Sequence, residues 1–211
     1  MKSIIIVGSG GHAKSVIDAI GDSYRIVGLV DDYAEPGEMK YGYPVLGGID
    51  QVKPFISRMG NKSCIYIAVG DNNGRKMLLD KLNLPLSAYA TIIHPTAYVS
   101  KKDVFIGNGA FIGAFAFVNA GCIVGSFSIL NTKASIDHDC IVGDFASLGP
   151  AVTLAGNVII CERTQLWTGC NVGNKVQIGS GCIIGGGSFV RKDVPKNTYG
   201  YGVPFKAISN T

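Results

Sequence analysis

The chain has 211 residues, of which 29 are glycine, about twice the usual share of ~7%. Apolar residues make up 47% and charged residues only 16%, which excludes a disordered low-complexity chain, while eight prolines are too few for collagen. Net charge is +4, with ten Lys/Arg against nine Asp/Glu in residues 1–90 and nine against six in residues 91–211, so neither part carries the clustered basic face of a nucleic-acid binder.

The first apolar run, Ile4-Ile5-Ile6-Val7, is too short for a signal segment. No stretch approaches the ~20 apolar residues of a membrane span. A cytoplasmic protein is expected. Ser3–Val7 reads as a buried strand. Gly8-Ser9-Gly10-Gly11-His12-Ala13 follows as a turn, and Val16, Ile17 and Ile20 keep helical spacing behind it. A second strand, Arg25–Val30, ends at Asp31-Asp32. Strand, glycine turn, helix, strand and acid make the plan of a mononucleotide-binding half. Glycines let backbone N–H groups approach a phosphate, and the helix N-terminus favours its charge. An intact dinucleotide fold needs two such halves, and about ninety residues hold little more than one, so a nucleotide or nucleotide sugar fits better than NAD. A further strand, Cys64–Val69, ends in Gly70-Asp71-Asn72-Asn73, and Gly74–Leu82 reads as a helix. Ligands bind at strand C-termini in open α/β sheets, which makes Asp71 and Asn72 candidates beside ordinary turn chemistry.

From Ile106 to Val190 every sixth residue is Ile, Leu or Val. The next position is often glycine, as at Gly107, Gly125 and Gly143, and the fifth is always small or β-branched. A six-residue period fits a parallel β-helix, with the aliphatic and fifth residues pointing inward. Three hexads make one triangular coil. Glycine after the aliphatic is expected to serve unusual backbone angles at the corners. His94–Val99 and Ser100–Phe105 are expected as weaker opening hexads. Lys192 to Thr211 leaves the repeat and is expected to fold back as a cap. The domains expected are therefore 1–90, Rossmann-like α/β, and 91–211, β-helix. Of six cysteines, Cys122, Cys140, Cys170 and Cys182 take the tight inward position, where a small apolar side chain suits.

There are three histidines. His94 precedes Pro95 at the domain junction. His12 sits in the glycine turn. His138 lies in Ile136-Asp137-His138-Asp139-Cys140, at a corner between two carboxylates able to orient its ring and raise its basicity. One coil later comes Gly156, whose bare N–H is placed to donate to a developing oxyanion. By the same count Gly186 stacks on Thr168. A zinc site of three histidines is not expected: His94 and His138 are not a whole number of coils apart, and the repeat holds no third. Cys140 reads as inward-facing, not as a nucleophile.

The glycine turn Gly8 to Lys14 with Asp31-Asp32, the junction His94-Pro95-Thr96-Ala97, and the hexads with His138-Asp139-Cys140 together resemble the bacterial sugar O- and N-acyltransferases. Nearly the whole chain is covered by the resemblance. It implies a left-handed β-helix, a homotrimer, a nucleotide-sugar acceptor, and acetyl-CoA as co-substrate in a groove between neighbouring helices, with no metal. It further implies His138 as general base assisted by Asp139, and Gly156 polarising the thioester carbonyl. Thr168 and Gly186 would line the pantetheine path. Gly8, Ser9, Gly10, Gly11, His12 and Lys14 would face the sugar and phosphates, with Asp32 on the base or ribose. The activity expected is N-acetylation of a nucleotide-linked amino sugar, UDP-4-amino-4,6-dideoxy in type, with O-acetylation of sialic acid or a related sugar as the alternative. Many relatives carry a second histidine in the hexad that follows the base. Here that position is Ser147.

Overall fold

The computed structural model of the chain describes residues 1–60 and 63–210. It divides into two compact units, Met1–Ile92 and Ile93–Thr211. In the first, β1 (Lys2–Val7), α1 (Gly11–Ile20) and β2 (Tyr24–Val30) follow the expected order. A short hairpin, β3 (Met39–Lys40) with β4 (Tyr43–Pro44), and α2 (Val52–Met59) come next, then β5 (Ser63–Ile67) and α3 (Asn72–Leu82). The sheet is parallel, in the order β2-β1-β5. Its central strand is apolar on both faces, with Ile4 to Val7 fully buried, as a strand covered on both sides requires. Helix α1 buries Ala13, Val16, Ala19 and Ile20, and no side chain caps its N-terminus at Gly10. The strand β5 stops short of Val69, and α3 starts ahead of Gly74, because the Asp71 carboxylate caps the helix by accepting the Gly74 N–H at 2.6 Å. Such a cap satisfies a helix-end donor that would otherwise be orphaned.

The second unit is a left-handed parallel β-helix of short strands in three parallel sheets. The first face runs from Tyr98–Val99 to Phe189–Val190, and the second from Phe105–Ile106 to Gln177–Ile178. The third face includes Phe111–Ile112, Ser147–Leu148 and Ile183–Ile184. Both inward positions form one continuous core, from Ala110 and Ile112 to Val190 and Val194. Stacked coils bury what no single coil can bury alone. Strands pair at a spacing of three hexads throughout the repeat, as Phe105 does with Ile123.

Two expectations are corrected here. Tyr98 pairs with Phe117, one position beyond the spacing of three hexads, so the first coil is longer by a residue than a pair of plain hexads at 94–99 and 100–105 allows. The extra residue sits in the turn after Val99, where Lys102 N–H donates to Ser100 Oγ. The second correction concerns the glycines that follow the aliphatic residues, whose φ is not positive. The left-handed residue stands two positions later, at every sixth residue from Gly109 to Gly187, and includes Phe115, Lys133, Asp139 and Ala151. The glycines after the aliphatics serve close approach instead. A Cβ at Gly107 would lie 2.5 Å from the Ser126 nitrogen, and one at Gly125 2.6 Å from the Asp144 nitrogen.

The coil continues past the repeat. Val194 bridges to Ile178, and Thr198–Tyr201 adds a parallel strand to the third face. Only then does the chain turn back, as Lys206–Asn210 pairs antiparallel with it. Thr211, the end of the expected cap, lies outside the described residues.

Candidate active site

In the first unit, the C-terminal ends of β1, β2 and β5 frame a cavity of about 450 Å³. Gly8, Ser9, Gly10, Gly11, His12 and Asp32 line it, together with Asp31, Tyr33, Ile49, Gly70 and Lys81. The glycine turn is held from below. Asp31 Oδ2 accepts both the Ser9 N–H at 2.8 Å and the Ser9 hydroxyl at 2.5 Å, and the Tyr41 hydroxyl donates to the Ser9 carbonyl at 2.9 Å. Partial burial alone would raise the Asp31 pKa, but the bonds from Ser9 and Tyr33 outweigh it and the carboxyl is held low. Asp32 is also held low, by the Ile49 N–H at 2.7 Å and then by Lys81 at 3.2 Å. His12 faces Tyr66, with Nε2 3.4 Å from its hydroxyl. Enclosure, then the Arg75 guanidinium, pulls His12 down to about 3, so the ring is neutral at ordinary pH.

Three predicted contacts lie elsewhere. Lys14 is carried on the outer side of α1, with its ammonium 5.3 Å from the centre of the Tyr41 ring. Asp71 is the cap of α3, and Asn72 is buried, its Oδ1 accepting from Arg75 at 2.8 Å. Arg75 itself is almost wholly buried and donates to the Val69 and Gly70 carbonyls at 3.0 and 2.9 Å. The turn chemistry of Asp71 and Asn72 therefore shapes the loop from behind instead of lining the cavity.

In the second unit, His138 and Asp139 form a corner between the first and second faces, after Ser135–Ile136 and before Ile141–Val142. His138 Nδ1 lies 2.8 Å from Asp139 Oδ2. Asp137 does not meet the ring. Its Oδ1 accepts the His138 backbone N–H at 2.8 Å and the Asn119 amide at 2.7 Å. The His138 pKa is raised, first by the bond to Asp139 and less by the charge of Asp137. With Nδ1–H donating to the carboxylate, Nε2 is left as the basic nitrogen. It points at Gly156, where a Cβ would lie 2.6 Å from Nε2 and 2.7 Å from Cε1. Among the described residues no acceptor meets the Gly156 N–H.

The second column also exists. The Gly187 N–H donates to the Thr168 carbonyl at 2.9 Å, and a Cβ at Gly186 would lie 3.0 Å from that carbonyl. It stands at the corner between the third and first faces, so one chain does not bring Thr168 and Gly186 to His138. Ser147 is half a coil from His138 and buried in a third-face strand, out of reach of the imidazole of its own chain. Cys140 is buried, with Sγ 3.1 Å from the Ala155 carbonyl, and contact with Cys122 together with burial pushes its thiol up. His94 accepts the Thr96 N–H at 3.1 Å in a turn. No group of three His, Cys, Asp or Glu side chains placed to hold a metal occurs among the described residues. No described helix is long and apolar enough to cross a membrane.

Sequence reasoning missed Asp31, Ile49 and Lys81 in the cavity, and Asn119 behind the corner. Asp31 had a signal, since it adjoins Asp32 at a strand end. Asn119 had one too, standing one full coil before Asp137.

A hexapeptide prism that presents a carboxylate-bound histidine, joined in one chain to an α/β unit with a glycine turn at a strand end, has the build of a hexapeptide acyltransferase. Comparison with known proteins agrees. The PglD N-terminal domain matches residues 3–82, and the bacterial transferase hexapeptide (six repeats) matches residues 157–192. A mutant of perosamine N-acetyltransferase from Caulobacter crescentus, solved in complex with CoA and GDP-perosamine, is 35% identical with a TM-score of 0.90, over 100% of this chain and 98% of that one. The acetyltransferase domain of PglB from Neisseria gonorrhoeae FA1090, in complex with acetyl coenzyme A, is 29% identical with a TM-score of 0.86, over 98% and 99%. UDP-N-acetylbacillosamine N-acetyltransferase of Bacillus subtilis (strain 168) is 37% identical over 117 residues, 54% of this chain and 52% of that protein. The chain spans about half the length of the first curated relative it matches. It belongs to the bacterial sugar acyltransferases built on hexapeptide repeats, in the branch of the nucleotide-sugar N-acetyltransferases.

Proposed function

We propose that this chain transfers acetyl from acetyl-CoA to the amino group of a nucleotide-linked amino sugar, with His138 as the general base. The observation that carries the reading is the His138 imidazole itself. Its Nδ1 is bound to Asp139 and its Nε2 is turned toward Gly156.

The acceptor amine must shed a proton as its nitrogen bonds to the thioester carbonyl carbon. Nε2 takes that proton, and Asp139 stabilises the imidazolium that results. The carbonyl oxygen gains charge, and the Gly156 N–H donates to it. Collapse breaks the C–S bond, restores the carbonyl as an amide, and returns the proton from imidazolium to the departing thiolate. No acyl-enzyme is needed. The nucleotide part sits in the cavity of the first unit. Its phosphates meet the glycine turn and the uncapped N-terminus of α1, Lys81 offers a further cation, and Asp32 faces the ribose or base.

A homotrimer completes the site in this reading. The second face exposes an apolar column of Phe105, Ile123 and Ile141 directly beside the His138 corner. A second copy seated there covers the column and supplies the Thr168–Gly186 corner to the groove where the pantetheine arm lies. The reading places the reaction in the cytoplasm.

The test is product mass after incubation with acetyl-CoA and a panel of nucleotide-linked amino sugars. The panel includes a UDP-linked 4-amino-4,6-dideoxy sugar and GDP-perosamine, since relatives of both kinds match. An acetyl increment on the sugar nitrogen is expected for at least one. No turnover on any amino sugar, with turnover on free sialic acid, overturns the reading.

A further inference from the structure

The carboxylate that holds His138 needs room, and the preceding coil provides it. Gly121 stands one coil before Asp139, at the same turn position. A Cβ built on Gly121 would run into Asp139 Oδ1, while its nearest backbone approach to Asp139, at Cα, is an ordinary 3.6 Å. The left-handed backbone favours glycine there without requiring it. The φ of Gly121 is +72°, and other residues hold the same left-handed turn position, Ala151 at +56° and Lys133 at +59° among them. What glycine supplies at 121 is therefore space for one carboxylate. The neighbouring carboxylate is kept away by the same coil, since the Asn119 amide binds Asp137 Oδ1, which also takes the His138 backbone N–H. His138 and Asp139 thus lie between two glycines, Gly121 clearing the Asp139 carboxylate and Gly156 clearing the imidazole.

We propose that Gly121 is a positioning residue, acting through Asp139 to keep that carboxylate on His138 Nδ1, with Asn119 holding Asp137 aside. The proposal rests on the reading of His138 as the base but concerns the geometry behind it. In Gly121→Ala the Asp139 side chain must rotate away, and Nδ1 loses its partner. The charged and titratable groups facing His138 are then Asp137, Cys122 and a displaced Asp139.

The experiment is an NMR titration of the histidine ring signals, which is tractable with three histidines, run alongside kinetics on the full chain. For Gly121→Ala the His138 midpoint is expected to fall toward 6.5, its ordinary value, and kcat to fall while KM for acetyl-CoA holds. In an Asp139→Ala background, where no side-chain oxygen is left at 139 either to collide or to accept from Nδ1, the same substitution should change neither further. An unchanged midpoint in Gly121→Ala, or full additivity with Asp139→Ala, overturns the proposal. If Gly121→Ala does not fold, Gly121→Ala with Asp139→Ala is expected to fold, since the colliding carboxylate is absent. Failure of that double variant also overturns it. A lowered midpoint with an unchanged rate would keep Gly121 in its positioning role and remove His138 from the role of base, so the two readings fail separately.

Discussion

His138 is more than half exposed, at 52% of its side-chain surface, and owes its raised basicity to a hydrogen bond instead of burial. That distinction sets its pH behaviour. A base works unprotonated, so kcat/KM should rise with pH through the raised His138 pKa. Asp139→Asn removes the carboxylate and should move that limb to lower pH while lowering the plateau, read from rate–pH profiles of the two proteins. A limb that stays in place would separate Asp139 from the titration. His138→Ala should cost about 10²- to 10⁴-fold in kcat, with acetyl-CoA binding by calorimetry retained. A near-normal rate would assign the proton to another group. His12 is the contrast within the same chain. Burial, then the Arg75 charge, lowers its pKa to about 3, so it serves the cavity of the first unit as a neutral hydrogen-bonding group.

At the scale of elements, the coil uses two kinds of corner residue for two different reasons. Gly125 is pressed against the next coil, with its missing Cβ 2.6 Å from the Asp144 nitrogen. Lys133 sits in a left-handed turn that Ala151 also adopts. Gly125→Ala should therefore destabilise by about 1–3 kcal/mol through overpacking, whereas Lys133→Ala should leave the melting temperature nearly unchanged. Equal effects in thermal unfolding would refute the assignment. The same pair shows how far the sequence could be read. The six-residue spacing of aliphatic residues revealed the coil, its length and its inward positions, because packing demands are periodic and local. It did not reveal why glycine follows the aliphatic, because contact with the next coil joins residues far apart in the chain and leaves no mark on composition. The extra residue after Val99 did leave a mark, since Ile93 and Val99 keep the six-residue spacing but Val99 stands seven residues before Ile106, a phase shift that counting back from Ile106 passes over. In the first unit β1, α1 and β2 were legible from apolar runs and the glycine turn. The hairpin and α2 were not, since their segments lack clear periodicity. Asp32 was legible as an acid at a strand end, but the role of Asp31 came from its two bonds to Ser9. Asp31→Ala should raise KM for the nucleotide sugar and leave KM for acetyl-CoA alone, since the glycine turn loses its anchor and the His138 corner does not.

At the scale of the whole molecule, the second unit combines glycines that admit the next coil with an apolar outer column at Phe105, Ile123 and Ile141. That column also makes assembly testable. Under the proposed assembly, wild type should sediment as a trimer and Ile123→Glu as a monomer in analytical ultracentrifugation, with turnover reduced because the Thr168–Gly186 corner of a second copy would no longer reach His138. A monomeric variant with full activity would place the whole acetyl-CoA site within one chain. The most direct test of the account is the mass of the product formed from acetyl-CoA and nucleotide-linked amino sugars. The account predicts one acetyl group on the sugar nitrogen, formed by the wild-type chain and lost in His138→Ala. Acetylation of free sialic acid alone, or acetyl-CoA left unconsumed across the panel, would contradict it.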